Sequence, residues 1–269
     1  MHEVLRIERV GATAVLTMNR PKARNALDLA LRDAFDDAVA EVRDDASVRA
    51  VVLTGAGEHF CAGGDVKGMS PGQGARRDIF EGRERIRRMH RWFDQLVDLE
   101  KPVIAAVDGV AFGAGLSLAL AADYVLCSPR AKFCSVFARL GYVPDMGAMY
   151  LLPRAIGLAR AKDLVFSARV VEASEAFTMG LVQQIVDGDV LDAAVKFAQR
   201  FHHAPTEALG IAKSVMNHAF ESERREVYAL EAMAQAMARE SDFHQDAVRR
   251  FIAKEPAAYQ WVVDPNTNA

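Results

Sequence analysis

The sequence has 269 residues, which fits one large domain or a domain with an appendage, and 51% of it is apolar, enough for a sizeable core. A net charge of −3 with both signs mixed argues against nucleic acid or an anionic membrane as a partner. The three cysteines, Cys61, Cys127 and Cys134, make no C-x-x-C pair, and the charged start MHEVLRIERV is no signal peptide, so disulfides and structural zinc are not expected and a cytoplasmic setting is.

Val4–Arg9 and Ala14–Met18 alternate around Gly11 and predict a hairpin, ended by Asn19-Arg20-Pro21. Ala26–Arg43 has apolar residues at helical spacing. Arg49–Thr54 predicts a buried strand, followed by a glycine-rich loop over Gly55–Gly68 and a mobile stretch at Pro71–Gly74. Ile79–Leu99 predicts a long amphipathic helix, with Ile86, His90, Phe93 and Val97 on one face. Val103–Val107 predicts a buried strand. Glycines at 109, 113 and 115 then open an apolar helix over Leu116–Ala122. Strand, glycine turn and buried helix together aim free backbone N–H groups at one point in space. The longest uncharged run, Gly109–Ala122, is too short to cross a bilayer.

Tyr124–Cys127 and Ala131–Phe133 predict short strands, and Leu140–Gly147 a loop. Tyr150–Ser167 predicts a helix broken at Pro153, Glu172–Met179 a short helix and Leu181–Val186 a strand. From Val190 the pattern is helical, with a break at Ala204-Pro205. The order predicts an α/β fold with a helical C-terminal appendage.

Several motifs in series resemble the crotonase, or enoyl-CoA hydratase/isomerase, superfamily. They are Asn19-Arg20-Pro21 with Arg24-Asn25-Ala26-Leu27, and Gly57 to Asp65 (GEHFCAGGD). Asp108 to Gly115 (DGVAFGAG), Ala131-Lys132-Phe133 and Leu140 to Asp145 (LGYVPD) continue the series. The resemblance implies a crotonase-type spiral of ββα units over residues 1–195, carrying the acyl-CoA site. It also implies a helical trimerisation region over 196–269, assembly as a homotrimer or dimer of trimers, and no metal. No separate cofactor is implied, since coenzyme A arrives as part of an acyl-CoA thioester substrate. Fatty acid metabolism is the expected setting.

The resemblance places the oxyanion donors at Ala62 and Ala114, and CoA contacts at Arg24, Ala62, Gly63 and Asp65. Phe251 and Lys254 match the late aromatic and lysine that close over CoA from another subunit. Asp65 is expected to orient the oxyanion loop by accepting backbone N–H bonds, and Cys61 to be a small apolar filler. Phe60, Phe112 and Phe137 are candidate walls of the acyl pocket, with Met69, Ile86, Trp92, Phe93 and Met146 as further candidates.

Family hydratases use two glutamates, and the matching positions here are Ser117 and Phe137. Neither exchanges a proton at neutral pH, and no Asp or Glu lies between Asp123 and Asp145. Asp145 is the remaining acid/base, as in the epoxyphenylacetyl-CoA isomerase-like branch. The expected activity is therefore isomerisation of an acyl-CoA: a double-bond shift or an epoxide rearrangement. Its alternatives are an enoyl-CoA hydratase, a 4-chlorobenzoyl-CoA dehalogenase-like hydrolase using His90 with Asp145, or a non-catalytic acyl-CoA-binding relative. As a structural alternative, Asp145 caps the helix that follows. A dinucleotide-binding oxidoreductase is disfavoured, because Leu118 replaces the third glycine of the fingerprint and no acidic residue follows at the required distance.

Overall fold

A computed structural model describes residues 3–65 and 79–261. Met69 and the Pro71–Gly74 stretch lie outside the described residues. The six-stranded sheet runs β1 (Leu5–Val10), β2 (Thr13–Met18), β3 (Ala50–Gly55), β4 (Val103–Val107), β6 (Tyr124–Cys127), β9 (Gln184–Ile185) in spatial order. In this sheet only the β1–β2 hairpin is antiparallel, and β2, β3, β4, β6 and β9 pair in parallel. A three-stranded sheet holds β5 (Val110–Phe112), β7 (Lys132–Cys134) and β8 (Val171–Glu172).

The central strands are buried on both faces, which is why they read as unbroken apolar runs. Val51, Leu53, Val103, Ala105 and Val107 join the main core with α1 (Leu29–Asp44), α2 (Ile79–Val97) and α3 (Ala114–Leu120). Val52, Ile104 and Ala106 face the other way, onto α7 (Val190–Ala198) and Phe201. Alternation by residue thus feeds two cores from one strand. Because α7 and Phe201 belong to the second core, a domain boundary at 195/196 cuts through the last turn of α7. The helices beyond it are α8 (Thr206–His218), α9 (Arg224–Arg239) and α10 (Asp242–Ala253).

α1 begins three residues later than its apolar pattern suggests. Asn25 takes φ +55, and Leu27 forms a parallel bridge to Gly64, so the chain stays extended until Asp28 caps the helix. The Asp28 carboxylate accepts from Leu31 N at 2.9 Å. At the other end Lys101 Nζ donates to the carbonyls of Val42 (2.6 Å), Arg43 (3.1 Å) and Asp45 (2.8 Å). A buried ammonium thereby takes up the carbonyls that the helix end leaves open.

The break expected at Pro153 falls instead at Gly157. Pro153 sits inside α4 (Ala148–Ile156), where it forgoes one hydrogen bond. Gly157, at φ +81 and ψ +152, is in a region open almost only to glycine, and it separates α4 from α5 (Leu158–Ser167). The α6 helix covers Ala173–Met179 with Glu172 as its N-cap residue. β5 is a short strand hidden in the sequence by its flanking Gly109 and Gly113, β8 is only two residues long, and only Gln184–Ile185 of the expected Leu181–Val186 strand is paired.

Candidate active site

Three segments meet where α3 begins. The loop 60–65 is held on one side by residues 24–27: Ala62 N–H donates to Arg24 O (2.9 Å), Leu27 N–H to Gly63 O (2.8 Å) and Asp65 N–H to Leu27 O (3.2 Å). On the other side it follows β5, through Cys61 N–H to Val110 O (2.9 Å) and Phe112 N–H to Cys61 O (3.0 Å). Gly115, in the first turn of α3, packs straight onto this loop. A Cβ there would lie 2.2 Å from Cys61 O.

These bonds decide which amides are free. Ala62 N–H is spent on Arg24 O, so the donor expected at Ala62 moves to Gly64. Gly63 C=O points to Leu27, and across a trans peptide the Gly64 N–H points the opposite way. Gly64 N–H finds no acceptor among the described residues. Ala114 N–H is the first amide of α3 and is likewise open. A Cβ on Gly63 (φ +102) would lie 3.6 Å from Ala114 N, so the two loops bring these amides together.

Asn25 sets the loop's height. Fully buried, it donates to Ala56 O (3.0 Å) and His59 O (2.7 Å) and accepts from Arg20 N (2.9 Å). Arg20 pairs with Asp28 (2.9 Å) and Asp65 (3.1 Å) and also bonds Ala26 O. Asp65 therefore acts on the loop through a guanidinium partner. Arg20 and Asn25 lie in the motifs that carry the resemblance, but their roles as anchors of the loop are not legible there, because a polar residue flanking a turn reads as solvated. The Cys61 Sγ donates to Asn25 O (3.1 Å), and burial pushes its thiol up to about 12, so it is inert filler.

Ser117, fully buried on α3, donates from Oγ to Asp145 O at 3.0 Å. This fastens the Asp145 loop to the same helix end that presents Ala114. The Asp145 side chain does not cap α4, whose N-cap is Gly147 with no side-chain bond. Asp145 Oδ1 is buried and has no hydrogen-bond partner among the described residues. Burial raises the Asp145 pKa above the ordinary carboxylate value, opposed by the charges of Arg32, His90 and Arg85. His90 is half-buried on α2 and close enough to act on both Asp145 and Asp94.

Phe137 and Val136 flank Gly113 just before Ala114, with Phe137 ring atoms 3.8 and 3.9 Å from a Cβ placed there. Phe112 is partly exposed beside them. Phe60 is a correction: at 0% exposure it belongs to the main core and offers no pocket wall. Trp92, Phe93 and Met146 are also buried; Trp92 stacks on Phe35 at 5.0 Å. The Arg24 side chain is exposed at the site's edge. Phe251 (85% exposed) and Lys254 stand at the end of α10, which packs chiefly on α9, so a single protomer does not gather them with the other site residues.

A family model described as Enoyl-CoA hydratase/isomerase matches residues 8–261. The chain belongs to this family. As a crotonase, it is 36% identical over 242 residues to the 1,2-epoxyphenylacetyl-CoA isomerase of Escherichia coli K12, covering 89% of this chain and 91% of that one. It is 34% identical over 250 residues to the short-chain-enoyl-CoA hydratase of Clostridium acetobutylicum, covering 92% and 94%. Its fold superposes on the crystal structure of an enoyl-CoA hydratase/isomerase from Cupriavidus metallidurans CH34 with a TM-score of 0.90, 36% identity and 99% of each chain covered. Among the described residues no cluster of His, Cys, Asp and Glu could hold a metal ion, and no helix is long and apolar enough to cross a membrane.

Proposed function

We propose that this crotonase is an acyl-CoA isomerase that moves a double bond, or rearranges an epoxide, through a thioester enolate. The observation that carries this is Asp145: a carboxylate with a buried, unpartnered Oδ1, tied by its backbone to the helix that presents a free oxyanion amide. Ser117 and Phe137 occupy the positions where family hydratases place glutamates, so neither position supplies a second carboxylate.

In the double-bond case the carboxylate of Asp145 takes a proton from the carbon beside the unsaturation. The electron pair moves through the conjugated system onto the thioester oxygen. The Gly64 and Ala114 amides hold that oxygen, and losing one such donor costs roughly 3–4 kcal/mol of barrier. Asp145 then returns the proton to the other end of the dienolate, so one group serves as base and acid. Coenzyme A enters and leaves as part of the substrate, with Arg24 along its path and Lys254 contributed across a trimer interface. A hydrolase or hydratase pairing His90 with Asp145 is the second reading, favoured by their electrostatic proximity.

The test is a panel of 2-enoyl, 3-enoyl and arylacetyl CoA thioesters, with double-bond migration, water addition and solvent-deuterium exchange recorded. Migration with exchange at the α or γ carbon, abolished in Asp145→Asn while thioester affinity is kept, is the expected result. Water addition without migration would instead select the His90 reading.

A further inference from the structure

Arg32 is a guanidinium that the proton shuttle does not use. It stands on the first turn of α1, half-buried, and Nη2 donates to Leu27 O at 3.1 Å. Its Nε is buried and has no partner among the described residues. Burial lowers its pKa most. The next influence is another guanidinium, Arg85 of α2, ranking ahead of the opposite charge of Asp145. Two like charges thus face each other from α1 and α2, and among the described residues no carboxylate is paired with Arg32. Burying a cation in this way is costly unless something supplies the counter-charge.

The space between them is a cleft of about 780 Å³. Asp65, which follows Gly64 in the 60–65 loop, and Leu27, which is bridged to Gly64 from the neighbouring segment, line its near end. Met89 and Trp92 give it an apolar wall suited to methylenes, and Arg32, Arg85 and Arg88 line it as well. Asp28 and Asp33 of its lining raise the Arg32 pKa, as Asp145 does, but among the described residues none of the three forms an ion pair with it. Asp28 and Asp65 are held by Arg20, while Asp33, Asp36, Glu81 and Glu84 are exposed. Those exposed acids repel a free anion, so a negative group reaches Arg32 only when the rest of its molecule carries it there.

We propose that the substrate's acyl chain bears a second anionic group, a carboxylate, which enters the α1–α2 cleft and is bound by Arg32 with Arg85. Arg32 is then the residue that sets substrate class, and its free Nε is the donor that this carboxylate meets. The inference rests on the acyl-CoA reading but not on the isomerisation step.

It is tested by titration calorimetry of the whole protein with saturated thioesters that cannot isomerise, matched in length. The pairs are adipoyl-CoA with hexanoyl-CoA and suberyl-CoA with octanoyl-CoA. The carboxylate-ended member of a pair binds at least about tenfold tighter, the scale of one charge-assisted hydrogen bond. Arg32→Met removes that preference and leaves hexanoyl-CoA affinity as it was. Arg32→Lys, which keeps charge without the planar fork, retains part of it. Equal affinities within both pairs for the wild-type protein, or a preference that survives Arg32→Met, overturn the proposal. If Arg32→Met loses both ligands through misfolding, Arg85→Met must weaken the carboxylate-ended ligand selectively, or the proposal fails. Should neither ligand bind the wild-type protein, the acyl-CoA reading itself falls. Binding without migration of 3-enoyl thioesters removes only the isomerase step.

Discussion

The burial of Asp145 has a cost that its proposed role as acid/base would explain. Its carboxyl loses solvent and gains no hydrogen bond at Oδ1, so its pKa lies above the ordinary carboxylate value. The native state then holds this proton at pH values where the unfolded chain has released it. Stability therefore falls as pH rises from the unfolded pKa through the raised native one. Asp145→Asn removes this ionisation, and its melting temperature at neutral pH is expected to exceed that of the wild type. The wild-type kcat/KM should rise with pH along an acid limb placed above the usual carboxylate range, since the base form does the work. An Asp145→Asn variant that is less stable at pH 7, or a wild-type limb at the ordinary carboxylate value, would contradict the burial of this group. That Asp145 is the favoured carboxylate is legible in the sequence, because Ser117 and Phe137 are visibly not acids. That Ser117 holds it in place is not legible, since a hydroxyl on an apolar helix gives no hint of its partner 28 residues away.

At the level of elements, the site depends on how closely two loops approach. The Cys61 carbonyl lies against Gly115, and a methyl there would collide with it at 2.2 Å. Gly115→Ala should push α3 from the 60–65 loop and spread the Gly64 and Ala114 amides. A loss of about 10²–10³ in kcat is expected, the scale of one lost oxyanion donor, with a smaller change in thioester affinity. Unchanged turnover in that variant would mean that the two amides do not act as a pair. Lys101 is an independent case. Lys101→Met leaves the last carbonyls of α1 without a donor, and each buried unsatisfied group costs about 1–3 kcal/mol. Urea denaturation should show a loss in that range or above, whereas a loss under half a kilocalorie would show that water replaces the ammonium. The strands and most helices are legible because burial on both faces leaves unbroken apolar runs and amphipathic helices leave a period. The misplaced break at Pro153 and the unseen β5 have one cause: backbone dihedrals at glycine decide them, and composition does not report dihedrals. The shift of the donor from Ala62 to Gly64 has a related reason, since which amide is free follows from the pairing of Arg24 and Leu27 with the loop.

For the molecule as a whole, the sheet and its two cores are closed, and large apolar side chains lie in solvent both before α7, at Phe80 (72%), Val143 (70%) and Phe166 (75%), and on the helices after it. Met216 is 65% exposed, Phe220 80%, Met233 65%, Phe251 85% and Ile252 75%. Exposed apolar side chains of this size on the C-terminal helices are what an association surface would offer. A homotrimer, alone or doubled to a hexamer, would cover it. Assembly would also explain why Phe251 and Lys254, matched to CoA contacts, sit on a helix that does not join its own protomer's site: they would serve a neighbour's. Light scattering after size exclusion should give three or six chains per particle. Placing charge in the patch with Met233→Glu and Met237→Glu should shift the particle toward monomer and weaken acyl-CoA binding in proportion to the monomer fraction. A wild-type monomer, or a monomeric double variant with undiminished affinity, would show that the C-terminal helices do not complete the site. The proportionality is the decisive readout, because a surface that merely aggregates would cost solubility without tying ligand affinity to the number of chains in the particle.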